Sequence, residues 1–236
     1  MEPIPTRLSA ATFATKAAAL RARRAIANLR HPIPRYTPSS ELPLPFIAAQ
    51  SITALWTDDR SEEQWHQRGK VANLSLAATQ IHRCRILSGQ EFSFWRQVGK
   101  PSGHRGFQLG RMLQEGCMVP SVGGGLCQLS NALYQVALDS GCQILERHRH
   151  SRLVPGSATA AGRDATVAWN YIDLRFRART EIELQAEVTD THMLISILSA
   201  TASPRPRPAL EHLTTKPAGD DHACDTCGAT ACFRKH

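Results

Sequence analysis

The chain has 236 residues, of which 42% are hydrophobic and 20% are charged, proportions that are ordinary for a globular protein. This length can bury one substantial core, and we expect one main domain with shorter segments at its ends. No run of about 18 apolar residues is present, which excludes a membrane-spanning helix on sequence grounds. The formal net charge is +8, and much of it lies in the first 35 residues, where seven cations accompany one acid. Such a segment is a general electrostatic feature, and no specific nucleic-acid partner is expected.

The first 45 residues predict a basic helix followed by a proline-rich linker. The alanine-rich stretch at about residues 9–30 favours a helix, and five prolines between residues 32 and 45 favour an extended segment over a core element. The early positive charges are not followed by the apolar stretch of a secretory signal peptide. We therefore expect a cytoplasmic protein.

A second helix is predicted over residues 61–81, with Trp65, Val71, Leu74 and Ala78 directed toward the core. The following residues, 86–99, contain short apolar and aromatic runs around a Ser-Gly turn. They favour short strands or irregular structure.

The second half of the chain predicts a mainly antiparallel sheet, and the fold class is therefore α+β, with helices in the N-terminal half. Strands are expected at residues 142–151, 165–178, 181–188 and 193–198. In the second of these, alternation places Ile172, Leu174 and Phe176 on one face and Asp173, Arg175 and Arg177 on the other. In the third, the acids are expected to face outward.

The stretch SVGGGLCQLSNALYQVALDSGC joins a glycine loop to a helix predicted from Gln128 to Ser140. Gly123, Gly124 and Gly125 favour a loop with positive φ or a close approach of two backbones. Cys127 then lies at the helix N-terminus, where unpaired N–H groups and the helix dipole favour a thiolate. The alternative is that Cys127 is a small buried hydrophobic residue.

The residue types that a thiol-based catalytic site needs occur one after another along the chain. Such a site needs a thiolate, a base and a group that orients the base. The candidates are Cys127, then His148 or His150, then Asp164, and alternation along a strand would place both histidines on the same face. Gln128 and the N–H groups of the glycine loop are candidates for an oxyanion hole.

The same region is also consistent with anion binding without catalysis. Arg147 and Arg149 flank His148 and form a basic patch that could hold a phosphate or a carboxylate. The sequence alone leaves both interpretations open.

The last fifteen residues, HACDTCGATACFRKH, contain three of the seven cysteines. The Cys224 and Cys227 pair has the spacing of a zinc knuckle, and Cys232 with His236 would complete a Cys3His site. An iron–sulfur cluster is the alternative cofactor, and a reduced tail or a regulatory dithiol is the alternative without metal. Cys84, Cys117 and Cys142 are expected to be structural.

Five segments between about residues 67 and 180 resemble, in this order, the VanW family, which is named from glycopeptide-resistance gene clusters. They are KVANLSLAATQI, LSGQEFSFWRQVGKPSGHRGFQLGRML, SVGGGLCQLSNALYQVAL, ERHRHS and GRDATVAWNYIDLRFRA. The motif positions that carry the resemblance are Gly123, Gly124, Gly125, Cys127, Gln128, His148, His150, Asp164 and Asp173. The resemblance implies a bacterial protein connected with the cell envelope or with peptidoglycan precursors.

We therefore expect three parts: residues 1–45 as the basic helix and linker, 46–201 as a VanW-like domain, and 202–236 as a proline-rich linker with a cysteine-rich, metal-binding tail. If the chain is an enzyme, it is a cysteine-dependent hydrolase or acyltransferase acting on a small molecule or a peptide precursor. The alternative is a non-catalytic module that binds an anion or a peptide, with a metal-binding or redox-sensing tail.

Overall fold

Helices and mainly antiparallel sheets make up the computed structural model, which describes residues 7–56, 64–114, 117–150, 163–202 and 208–209. The helices in these ranges are α1 (Arg7–Arg30), α2 (Gln64–Ile81), α3 (Phe94–Val98) and α4 (Cys127–Asp139), with a 3-10 helix at Gly103–Arg105. The strands are β1 (Phe46–Ala54), β2 (Cys84–Ile86), β3 (Glu91–Ser93), β4 (Leu109–Gln114), β5 (Cys117–Val122), β6 (Gln143–Glu146), β7 (Arg175–Arg177), β8 (Ile182–Val188), β9 (His192–Ser199) and β10 (Pro208–Ala209). The α+β class is confirmed.

A five-stranded sheet with the order β10-β1-β9-β8-β2 forms the centre of the described structure. Neighbouring strands in this sheet run antiparallel, except that β10 runs parallel to β1. Strand β1 was not predicted, because its sequence FIAAQSITA mixes small, polar and apolar residues without alternation. It nevertheless lies inside the sheet, with Ser51 opposite Ile195 of β9.

The other described strands form a smaller sheet with the order β3-β7-β6 and a hairpin of β4 and β5. Phe92 of β3 and Phe176 of β7 are opposite each other, and their rings stack at 4.8 Å between centroids. Both rings are completely buried, and so this sheet belongs to the same core as the central one.

Helices α2 and α4 pack on the central sheet, α2 against β8 and α4 against β1 and β9. The predicted inward positions Leu74 and Ala78 of α2 are buried. The prediction for Trp65 was wrong, since its side chain is 51% exposed and its ring stacks on His66. Nine residues separate Trp65 from Leu74, which at about 100° per residue places them on opposite faces of the helix.

Two acidic side chains that the alternation placed outward are in fact buried. Asp173 accepts hydrogen bonds from the Ser93 hydroxyl (2.6 Å) and the Trp95 N–H (3.1 Å), so that it caps the start of α3. The predicted strand at residues 165–178 is correspondingly reduced to Arg175–Arg177. Glu183 of β8 pairs with both Arg83 and Arg85, each at 3.0 Å. Ion pairing and hydrogen bonding offset the cost of burying these carboxylates.

Helix α1 contacts the rest of the molecule along one narrow stripe. Ala17 is buried, Arg21 Nε donates to the Trp169 carbonyl at 2.8 Å, Arg24 pairs with Glu146, and Asn28 Oδ1 accepts from Arg175 at 2.7 Å. The spacing of four, three and four residues places this stripe on one helix face. Most of the remaining described side chains of α1 are exposed. None of the described helices carries an apolar stretch sufficient to cross a bilayer.

Replacing Gly69 with alanine tests the close packing of β4 on α2. A Cβ at Gly69 would lie 1.9 Å from the Leu109 carbonyl oxygen, which belongs to backbone and cannot rotate away. Alanine favours a helix by about 1 kcal/mol over glycine. We expect the clash to outweigh this and Gly69→Ala to lower the free energy of unfolding by about 1–2 kcal/mol net in urea denaturation. Gly103→Ala is the control, because, apart from Gly103 and its chain neighbours, no atom of the described residues lies within 4 Å of its Cβ position. Equal stability of the two variants would contradict the packing of β4 on α2.

Candidate functional site

Cys127 is the first residue of α4, directly after the glycine loop. Its side chain is partly buried. The sulfur lies 3.5 Å from the Thr166 hydroxyl and 3.7 Å from the Val167 carbonyl oxygen. No side chain caps the N-terminus of α4, and the backbone N–H of a first helical residue has no acceptor within its helix. The thiol is therefore next to the positive end of the helix dipole.

The glycine loop is held in place by a buried amide that the sequence analysis missed. Gly123 and Gly125 have positive φ, 80° and 94° respectively, which explains why glycine occupies these positions. The Gly124 carbonyl accepts a hydrogen bond from Asn73 Nδ2 at 2.9 Å. Asn73 also bonds to both the carbonyl (3.0 Å) and the N–H (2.8 Å) of Gln108. Asn73 is not on the helix face that the periodicity directs inward at Val71, Leu74 and Ala78, and the pattern therefore did not identify it.

His150 and Asp164 form a hydrogen-bonded pair next to the thiol. One carboxylate oxygen of Asp164, Oδ2, accepts from both Nδ1 and the backbone N–H of His150, each at 2.7 Å. Oδ1 accepts from Arg147 at 2.9 Å, and the Asp164 carbonyl accepts from Arg147 Nε at 2.6 Å. An ionised carboxylate can only accept hydrogen bonds, and so Nδ1 of His150 carries a proton. Nε2 is then the ring nitrogen available to the Cys127 sulfur.

The pKa values of these three groups shift in the directions that favour a charged pair. Desolvation raises the pKa of Cys127, but hydrogen bonds from His150 and Thr166 lower it by more, and the result is below the ordinary value. Desolvation lowers the pKa of His150, but its contacts with Cys127 and Asp164 raise it by more. Burial raises the pKa of Asp164, but hydrogen bonds from His150 lower it below its usual range. The shifts of Cys127 and His150 both lower the cost of a thiolate beside an imidazolium relative to the isolated groups.

Polar side chains of α4 connect the thiol to the segment that carries Asp164. The Ser130 hydroxyl donates to the Ala165 carbonyl at 2.5 Å, and Asn131 Oδ1 accepts from the Ala165 N–H at 2.7 Å. Ser130 and Asn131 follow Cys127 by three and four residues, which places all three side chains on one helix face. This spacing was visible in the sequence and could have identified both residues.

His148 and Gln128 do not reach the sulfur. Strand β6 ends at Glu146, and the expectation that His148 and His150 share a strand face was therefore wrong. The His148 ring lies 3.2 Å from Glu146. The side-chain amide of Gln128 donates to Thr53 (3.1 Å) and to the Ala54 carbonyl (2.8 Å) of β1. Both of its N–H donors are therefore occupied.

The basic patch expected around His148 is only partly available for a ligand. Arg147 is bonded to Asp164, and its guanidinium lies 5.0 Å from the centre of the Tyr134 ring. Arg149 is exposed. The charge of Arg147 is thus used inside the site.

Residues 69–198 match the family model described as VanW like protein, more than half of the chain. The chain belongs to the VanW family. It is 32% identical over 169 residues to the vancomycin B-type resistance protein VanW of Enterococcus faecalis. The aligned region covers 70% of this chain and 62% of that protein. It is 33% identical over 135 residues to the uncharacterized protein YoaR of Bacillus subtilis, covering 56% and 44% respectively. The chain thus spans less than two thirds of either relative, and no solved structure matches it.

Two other cysteines of this VanW-family chain have described side chains, and their pKa values shift in the opposite direction from that of Cys127. Cys84 and Cys142 are buried free thiols, and burial raises the pKa of both, that of Cys84 to about 12. Among the described residues, no three histidine, cysteine or acidic side chains are grouped to hold a metal ion. Cys224, Cys227, Cys232 and His236 lie outside those residues, and the metal-binding tail remains a prediction.

The three free thiols in the described part of the chain, Cys84, Cys127 and Cys142, provide an internal comparison of reactivity. We expect iodoacetamide to modify Cys127 at a pH well below about 8.5, where an ordinary thiol ionises, and Cys84 and Cys142 only at higher pH. Peptide mass spectrometry after timed alkylation at a series of pH values measures each site separately. Equal midpoints for Cys127 and Cys142 would contradict the electrostatics described above.

Proposed function

We propose that this VanW-family protein is a cysteine-dependent enzyme that cleaves or transfers an acyl group. Cys127 is the nucleophile, His150 the general base and acid, and Asp164 the residue that orients His150. The observation that carries the proposal is the hydrogen-bonded pair of His150 and Asp164, together with the opposite shifts that His150 and Cys127 cause in each other's pKa. These are the three roles that covalent thiol catalysis requires.

Cys127 and His150 account for every bond and proton transferred in the reaction. The Cys127 thiolate attacks the carbonyl carbon of an amide or ester, and a sulfur–carbon bond forms. As the tetrahedral intermediate collapses, the bond to the leaving amine or alcohol breaks and His150 supplies its proton. Water, or the amine of an acceptor, then attacks the thioester, His150 takes the proton, and the thiolate is released. Hydrolysis and acyl transfer differ only in this second nucleophile.

The oxyanion of the intermediate would be stabilised by backbone rather than by Gln128. The backbone N–H of Cys127 belongs to the first turn of α4, where N–H groups lack helical acceptors. Because the helix dipole adds positive potential at the same place, an oxyanion next to the sulfur is favoured there.

A peptide or amino-acyl precursor of the cell envelope is the proposed substrate class. Support comes from the similarity to the E. faecalis protein, whose name refers to vancomycin B-type resistance. Amide and ester bonds in such precursors are the groups that a thiolate attacks.

Acylation by p-nitrophenyl acetate and by cell-wall muropeptides tests the proposal. We expect a burst of about one p-nitrophenolate per chain, with the acyl group found on Cys127 by mass spectrometry. His150→Ala should slow the burst by about 10²–10⁴-fold, because proton transfer is lost. Asp164→Asn should also slow the burst, because both the orientation of His150 and the negative charge that stabilises its imidazolium are lost. Cleavage or transfer products from the muropeptides would support the substrate class.

Cys142→Ser is the matched control, because Cys142 is a buried thiol away from His150 and its loss should leave the burst unchanged. A burst that persists in Cys127→Ser, or the absence of any acyl-enzyme with either substrate, would overturn the enzymatic proposal. The non-catalytic binding module would then be the remaining explanation.

We also propose that the tail binds one zinc ion through Cys224, Cys227, Cys232 and His236, with an iron–sulfur cluster as the alternative. The support is the spacing of the three cysteines. Full-length protein purified without oxygen should contain about one zinc per chain by mass spectrometry, or absorb visible light if a cluster is bound. Cys224→Ser with Cys227→Ser should remove the metal, whereas Cys142→Ser should not. Metal-free, colourless wild-type protein would refute the site.

A further inference from the structure

Glu146, the last residue of β6, connects four parts of the chain through one carboxylate. Its Oε1 accepts from Arg24 of α1, from the Asp173 N–H at 3.1 Å, and lies 3.2 Å from Nε2 of His148. Its Oε2 lies 3.5 Å from Arg175 Nε. The side chain is only 16% exposed, and partial burial strengthens these contacts relative to a surface ion pair.

The loop at residues 147–150 is held between Glu146 and the segment that carries Asp164. On one side, Arg147 and the His150 N–H bond to Asp164, and the His148 carbonyl accepts from the Thr166 N–H at 2.9 Å. On the other side, the His148 ring contacts Glu146. The position of His150 therefore depends on both sets of contacts.

We infer that Glu146, held by Arg24 and contacting His148, is a positioning residue that fixes the loop carrying His150 against Cys127. The inference rests on the proposed function of Cys127 and His150, and it gives roles to helix α1 and to His148 that the catalytic groups themselves do not explain. Small displacements of a catalytic group lower reaction rates strongly, up to about 10²-fold for about 1 Å. Loss of the Glu146 contacts should therefore be measurable at the sulfur.

Arg24 is the best position for a test because it lies on a helix whose side chains are otherwise mostly exposed. Replacing it removes the contact with Glu146, and a weaker bond to the Tyr171 carbonyl at 3.4 Å, without opening the core. Arg23 is its neighbour on the same helix and is exposed, and so Arg23→Ala removes one equal charge without touching Glu146.

The experiment measures the alkylation rate of Cys127 by iodoacetamide against pH in full-length protein. The variants are Arg24→Ala, Arg24→Lys, Glu146→Gln and the control Arg23→Ala. We expect Arg24→Ala and Glu146→Gln to move the midpoint of the profile to higher pH and to lower the rate at pH 7 by about tenfold, with the plateau rate at high pH retained. Arg24→Lys should restore part of the difference, and Arg23→Ala should match wild type.

The possible outcomes separate the two proposals. A wild-type midpoint at the value of an ordinary thiol would overturn the proposed function, and this inference with it. A low wild-type midpoint that is unchanged in Arg24→Ala and Glu146→Gln would overturn only this inference, even if thermal denaturation showed both variants to be less stable. If Glu146→Gln does not fold, the pair of Arg24 variants decides the question alone.

Discussion

The buried carboxylate of Asp164 is the constraint on which the site depends. Only 1% of the residue is exposed, and an ionised carboxylate at such a depth is costly unless its oxygens are hydrogen-bonded. His150 supplies two of those hydrogen bonds and Arg147 supplies another. The need to satisfy one anion therefore fixes the backbone of the loop at residues 147–150 and the tautomer of His150 together.

The position of the Cys127 thiol is fixed by the packing of α4 in the core. Helix α4 packs on β1 and β9 through completely buried residues such as Leu129 and Leu133, and Asn73 of α2 anchors the glycine loop that precedes it. A nucleophile at the start of a packed helix is positioned more precisely than one on a loop. The site thus joins a rigid element, which holds the sulfur, to a loop whose geometry depends on polar contacts.

Much of the fold and part of the site could be predicted from the sequence. The periodicity of α4 and the alternation of β8 and β9 are strong patterns, and chain order already proposed Cys127 and Asp164 as members of one site. The choice between His148 and His150 could not be made, because it depends on where β6 ends, and alternation does not apply beyond Glu146. Asp173 and Glu183 were placed outward for a related reason: periodicity does not indicate which acids find buried partners. Strand β1 lacks a pattern of its own and is defined by its neighbours in the sheet.

The cysteines of this chain show which interaction makes Cys127 different. Desolvation is the largest influence on the thiols of Cys84, Cys127 and Cys142, and in each case it raises the pKa. Cys142 has a hydroxyl partner, Ser140, and a nearby positive charge on Arg179, and its pKa is still raised. Cys127 also has a hydroxyl partner, Thr166, but its pKa is lowered. The main difference is the hydrogen bond from His150, which lowers the Cys127 pKa more than any other single contact, with a smaller contribution from the positive charge of His150. Because that charge is stabilised by Asp164 in turn, a carboxylate that does not contact the sulfur contributes to lowering the Cys127 pKa.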